Sequence, residues 1–261
     1  MSDRLFGISL RDEESCAARY PDLPAFCRIF EAPGTVLDSL RLREGIAAAC
    51  AGRGIAWGVR DLLDANLARQ LVYSGDTLRF EALRKFDERA RSAVAAGAQW
   101  ASLDLDAGRA AVDAGYEAPF HDLIRQLGGM LARIGRHLPL LLPVRIPAPE
   151  TAEPEKLLRL RHDLPLPGVR LAFEVHPHEP GALAWGGVEL LRFEARHWRI
   201  CFAPASGNVL APAALNRFLA AAGEDAPEPM RILFSPEGAG AADDYTLKQL
   251  SDTTEKWENM K

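Results

Sequence analysis

The chain has 261 residues, 48% of them hydrophobic and 26% charged. That balance excludes disorder, a collagen-like repeat and a disulfide scaffold, and it suffices for a core built without disulfides or metals. The 31 basic and 36 acidic side chains leave a net charge of −5, which argues against an extended nucleic-acid or anionic-membrane surface. No apolar run approaches the roughly 20 residues that span a bilayer, and the MSDRLFGISLRDEES start lacks a secretory pattern. A cytoplasmic chain with no nucleic-acid and no membrane partner is expected.

From the start, short β-prone runs alternate with helical segments. The predicted strands are LFGISL (5–10), FCRIF (26–30), IAWGV (55–59), WASLDL (100–105), LPLLLPVRI (138–146), VRLAFEV (169–175), WRICFA (198–203) and MRILF (230–234). After the first strand, Pro21 and Pro24 leave room only for a short helix around 13–19. Gly52 or Gly54 and Gly97 stand where C-terminal helix caps stand, just ahead of strands. Asp76 or Thr77 is placed to cap a helix with Phe80, Leu83, Phe86, Ala90 and Val94 on one stripe. A further helix carries Phe120, Leu123, Ile124, Leu127, Leu131 and Ile134 at 3.6-residue spacing. Proline-rich 147–156 reads as a loop. Cys16, Cys27, Cys50 and Cys201 form no CxxC pair and are expected as buried free thiols.

Strands separated by helices require parallel neighbours with right-handed crossovers, and eight such units in 261 residues predict a single-domain (β/α)8 barrel over 1–261. A doubly wound sheet is the alternative. No GxGxxG or GxxxxGK[ST] element follows the first strand to favour a nucleotide-binding version.

In a barrel, alternate side chains of each strand face the interior. In WASLDLD the apolar set Ala101, Leu103 and Leu105 meets the helices, leaving Trp100, Ser102, Asp104 and Asp106 inside. In VRLAFEVHPH, Leu171, Phe173 and Val175 face out, leaving Ala172, Glu174, His176 and His178. The same rule puts Arg145 inside and adds Ser9, Arg11, Glu31, Arg60, Ser235 and Glu237 at or beyond strand ends. That is the end where barrels assemble their sites. The carboxylates and histidines could serve as acid, base or metal ligands; the arginines could neutralise them or hold an anionic substrate. A salt-bridged network closing the mouth accounts for the same residues. Trp185 could form an apolar or sugar-stacking wall, and Ser206–Asn208 makes either a turn or a ligand contact.

On RLFGISL, FEALRKFDERARSAVAAGAQWASLDLD and VRLAFEVHPHEPG the chain resembles the xylose-isomerase-like TIM-barrel superfamily of sugar-phosphate isomerases, epimerases and AP endonucleases. The resemblance implies a divalent cation (Mn, Mg or Zn) at the strand ends and a base that moves a proton between neighbouring sugar carbons. Carried onto this chain, it implies Glu174, His176 and Glu237 as catalytic and metal-binding residues. Arg11, Glu31, Arg60, Asp104, Arg145 and Trp185 would then hold a polyhydroxylated or anionic small molecule. Glu174 matches the family's pattern in two ways, by strand count or by local appearance one strand earlier. By strand count Arg145 stands where the family has a metal-binding glutamate, and ICFAPASGN supplies no acidic or histidine ligand. Two functions follow: a sugar or sugar-phosphate isomerase or epimerase, or a non-catalytic sugar- or anion-binding barrel that has lost the metal.

Overall fold

The computed structural model describes residues 4–105, 117–134, 138–146, 168–176, 196–202, 230–237 and 244–258. Eight parallel strands close into a barrel in sequence order. They are β1 (Arg4–Ser9), β2 (Ile29–Pro33), β3 (Ala56–Arg60), β4 (Ala101–Ser102), β5 (Leu140–Ile146), β6 (Val169–Val175), β7 (His197–Phe202) and β8 (Met230–Pro236). The ring closes where β1 pairs with β8, Gly7 lying opposite Leu233. The described helices are α1 (Glu13–Arg19), α2 (Leu40–Gly52), α3 (Ala65–Tyr73), α4 (Asp76–Ala95), α5 (Glu117–Arg133) and α6 (Asp244–Glu258). The expected (β/α)8 barrel is the fold.

Local chemistry sets the helix ends. Asp12, Ser39 and Asp64 each accept backbone N–H bonds at a helix start. Gly54 and Gly97 carry positive φ after α2 and α4, as expected of C-terminal caps. α4 departs from its expected start, because Gly75 is its cap residue and Asp76 is already helical. Its buried stripe is also rotated. Phe80 is 67% exposed, whereas Ala82, Phe86, Arg89, Ala90 and Ala93 are buried. Arg89 belongs on that face because its guanidinium meets the Asp38 carboxylate and the Leu62 carbonyl, so its charge is compensated where it is buried. On α5 the expected face is inward at Phe120, Leu123, Ile124, Leu127 and Leu131.

The strand shifts matter more for the site. β2 lies three residues beyond the predicted 26–30, because residues 25 and 26 form a turn and the ladder with β3 continues to Pro33 opposite Arg60. Glu31 is therefore within the strand and inside the barrel. The ladder of β4 is confined to Ala101–Ser102, although alternation persists on both sides of it. Leu103 and Leu105 join the outer core, while Trp100 packs inside with Ile29, Leu141, Ala172 and Leu233.

Two inward glycines make that interior possible. A Cβ on Gly7 would lie 1.7 Å from the Ile29 carbonyl oxygen, and one on Gly58 would lie 2.2 Å from the Trp100 indole. All four cysteines are free and buried. Asp106, His178, Trp185, Ser206–Asn208 and 147–156 lie outside the described residues.

Gly58→Ala should push the indole out of place and lower unfolding free energy by about 1–3 kcal/mol, as overpacked cores do. Gly52→Ala, at a position with nothing within 4 Å of the added carbon, should be neutral or slightly stabilising. Urea denaturation of both variants checks the contrast; equal stability of Gly58→Ala and the parent would contradict it.

Candidate functional site

Above the apolar floor of the barrel sits Glu31, with no solvent exposure. Its Oε1 accepts from Trp100 Nε1 at 2.8 Å and from Arg199 at 2.9 Å. It also meets His197 Nε2 at 2.9 Å. Its Oε2 accepts from Ser9 Oγ at 2.7 Å and from Arg199 Nε at 2.8 Å. Burial would raise this carboxyl, but Arg199 and His197 outweigh it and hold the group well below its usual range. Burial lowers His197 in turn, against the pull of Glu31. The imidazole is thus neutral, and since a carboxylate only accepts, Nε2 carries the proton given to Glu31.

One level higher the charges alternate again. Arg199 Nη1 donates to Glu174 Oε1 at 3.1 Å and its Nη2 to Ser102 Oγ at 2.7 Å. Arg60 donates to the same Glu174 oxygen at 2.8 Å and to the hydroxyls of Ser9 and Ser235. Burial would raise the Glu174 carboxyl, but Arg60, Arg199 and Arg11 outweigh it and bring it down to about 2. At the rim, Arg11 meets Glu237 at 2.6 Å, Glu174 at 3.6 Å and the Cys201 sulfur at 3.7 Å. Burial holds the Cys201 thiol up at about 11.

Beside this column opens a cleft of about 340 Å³, on the side where the strands end. Arg11, Arg60 and Arg69 line it together with Asp61, Asp64, Asp104 and Tyr73. Asp61 holds a left-handed φ of 51° directly after β3. Its N–H donates to Ser102 Oγ at 3.0 Å, which fixes this unusual backbone.

No protein-family model matches the chain, and no curated protein sequence matches it. Solved structures do. A D-psicose 3-epimerase from Clostridium cellulolyticum H10, solved with D-tagatose, aligns over 98% of each chain with a TM-score of 0.64 at 11% identity. A D-psicose 3-epimerase solved in the presence of D-fructose covers 99% of this chain and 96% of its own, with a TM-score of 0.65 at 9% identity. The 3-keto-D-glucoside 4-epimerase of E. coli covers 97% and 100%, with a TM-score of 0.61 at 13% identity. The fold is that of the xylose-isomerase-like TIM barrels.

The xylose-isomerase-like resemblance implies a divalent cation, which the residues present can be tested against. The ligand atoms of Glu174, His176 and Cys201 lie within 4.8 Å of one another, a spacing that one ion can bridge. The charges around them do not fit one. Three guanidinium groups already lie within 4 Å of the Glu174 carboxylate. Each would repel a nearby divalent ion by several kcal/mol, since two unit charges 4 Å apart interact by about 4 kcal/mol at an effective dielectric of about 20. As arranged, the mouth of this barrel already holds its cations.

The structure brings Glu174, Glu237 and Arg11 into one cluster with Arg60 above Glu31. His176, half-buried, joins it beside Glu174 and Cys201. Asp104 lies on the cleft wall. Arg145 has the inward register, opposite Glu174 on β6, but its side chain is exposed at the rim. Glu31 lies beneath the others without access to solvent. Sequence reasoning missed Arg199, His197 and Asp61. Applying strand alternation to WRICFA would have found Arg199, a charge flanked by Trp198 and Ile200.

The position of Glu174 has a consequence in acid. Because its folded value lies below that of an ordinary carboxyl, its contribution to stability is complete above pH 5 and is lost as pH falls toward 2. The displacement corresponds to about 3 kcal/mol. Glu174→Gln should cost about that much at pH 7, and the gap from the parent should close towards pH 2 in urea titrations. A gap independent of pH would refute the assignment.

Proposed function

We propose that this chain binds a small polyhydroxylated or anionic molecule of the sugar, sugar-acid or sugar-phosphate class in the cleft at the mouth of the barrel. The observation that carries this reading is the lining. Arg11 and Arg69 line the same 340 Å³ space as Asp61 and Asp104. A ligand bearing several hydroxyls, or hydroxyls and one anionic group, uses both kinds of partner, donating to the acids and accepting from the arginines. The volume suits a ligand of monosaccharide size. Solved barrels of the same shape include sugar epimerases, which supports the ligand class by analogy of fold.

Those neighbours also favour a second reading, isomerisation or epimerisation by proton transfer with Glu174, His176 and Glu237 as the reacting groups. The electrostatics count against Glu174 as the base. A carboxyl held at about 2 is far from the near-neutral value that efficient proton transfer calls for. In the binding reading Glu174 instead holds Arg11 and Arg60 at the edge of the cleft, and Glu237 steadies Arg11.

Thermal shift and calorimetry with pentoses, hexoses, sugar acids, sugar phosphates and inorganic phosphate separate the readings. At least one polyhydroxylated compound should raise the melting temperature by several degrees at saturation, since ligand at about 100 times its Kd adds about 2.7 kcal/mol. Asp61→Asn combined with Asp104→Asn should remove most of that response. An unresponsive panel, or a response that survives both substitutions, would contradict the assigned cleft. Conversion of a bound sugar that is lost in Glu174→Gln would favour the catalytic reading instead.

A further inference from the structure

At the rim of the barrel, one nitrogen atom lies where three strands deliver their donors. Arg11 Nη2 is 2.6 Å from Glu237 Oε1, 3.6 Å from Glu174 Oε2 and 3.7 Å from Cys201 Sγ. These groups come from the end of β6, from β7 and from the residue after β8. The imidazole of His176 offers a further nitrogen within 4.8 Å of the Glu174 and Cys201 donors. The carboxylate of Glu174, the imidazole of His176 and the thiol of Cys201 are thus spaced as the donor set of a soft divalent ion, zinc above all, and the Arg11 nitrogen lies on two of those three donors and on Glu237.

We propose that Arg11 is a tethered cation: its NH2 group holds the position a soft divalent metal would otherwise take, so the native site is closed to metal and loss of that guanidinium opens it.

Three observations carry the assignment. The Glu237 contact is one of charge and not an aligned hydrogen bond, and among the described residues this buried oxygen has no hydrogen-bond partner. A point-like cation satisfies an oxygen in that way. The two oxygens of Glu174 are also divided: Oε1 is taken by Arg60 and Arg199 deeper in the barrel, whereas Oε2 faces Arg11. Removing Arg11 therefore frees one donor oxygen and leaves the deeper pairs in place. Finally, the Arg11 side chain is 43% exposed. It enters from the solvent side, and shortening it opens a polar space continuous with water, not a hole in the core. This assignment does not depend on the sugar-like ligand proposed above, because it concerns the resting site.

Zinc titration by calorimetry of the native chain, Arg11→Ala, Arg11→Gln and Arg11→Lys tests it, with circular dichroism confirming that each variant is folded. The native chain and Arg11→Lys should show no stoichiometric uptake. Arg11→Ala or Arg11→Gln should bind one equivalent at least tenfold more tightly, and adding Cys201→Ala should abolish the gain. Cobalt in place of zinc should give a near-ultraviolet thiolate charge-transfer band in Arg11→Ala but not in the native chain. Stoichiometric zinc on the native chain that is lost with Cys201→Ala would overturn the proposal. So would folded Arg11→Ala and Arg11→Gln proteins with no gain in affinity.

Discussion

A carboxylate without contact to water must find its compensation inside the protein, and in this barrel Glu31 finds it almost entirely in one residue, Arg199. Taking such charges out of water costs several kcal/mol each. Only close geometry and full use of the remaining lone pairs repay that cost. The interior is built around this requirement. Ser9 and Trp100 occupy the remaining acceptor positions of Glu31, and Gly58 makes room for the indole that does so. Arg199 in turn has donors left over, and these reach Ser102 and Glu174. Glu174 then recruits Arg60 and Arg11, so each charge placed in the barrel fixes the sign of the next one towards the mouth.

The consequence for chemistry is that positive charge at the strand ends is covalently attached. A bound metal can come and go with pH and supply. A guanidinium remains charged at any pH the fold survives and offers planar, directed donors. The barrels this chain resembles in shape include enzymes that act on sugars. Here, carboxylates at comparable strand ends are engaged in holding arginines, which makes them weak bases and good anchors. The cleft beside them inherits fixed donors from Arg11 and acceptors from Asp61 and Asp104.

Much of this arrangement was legible in the chain. Alternation along β6 separated Glu174 and His176 from Leu171, Phe173 and Val175, and the separation holds because the two faces of a strand meet such different surroundings. The strand count and parallel order gave the barrel, and Gly54 and Gly97 marked helix ends through their need for positive φ. Other features were hidden for physical reasons. Arg199 lies in a strand that otherwise reads as apolar, and only its distant partner Glu31 makes it tolerable there. The β-prone Phe26 places the ladder too early in the sequence and so puts Glu31 after its strand, whereas pairing with β3 decides the boundary. Phe80 fits the helical period but lies on the wet side of α4, since Arg89 takes the buried face with help from Asp38. Asp61 is in the cleft because of one backbone conformation that no local motif announces.

The dependence of the interior on the Glu31–Arg199 pair can be measured directly by a double-mutant cycle, with Glu31→Leu, Arg199→Leu and the doubly substituted chain compared by urea unfolding at pH 7. Each single substitution takes from a buried charge its closest partner and should cost about 3–5 kcal/mol. The double substitution should cost much less than their sum, with a coupling of about 2 kcal/mol or more. Additive losses, or single substitutions that cost less than about 1 kcal/mol, would contradict the account.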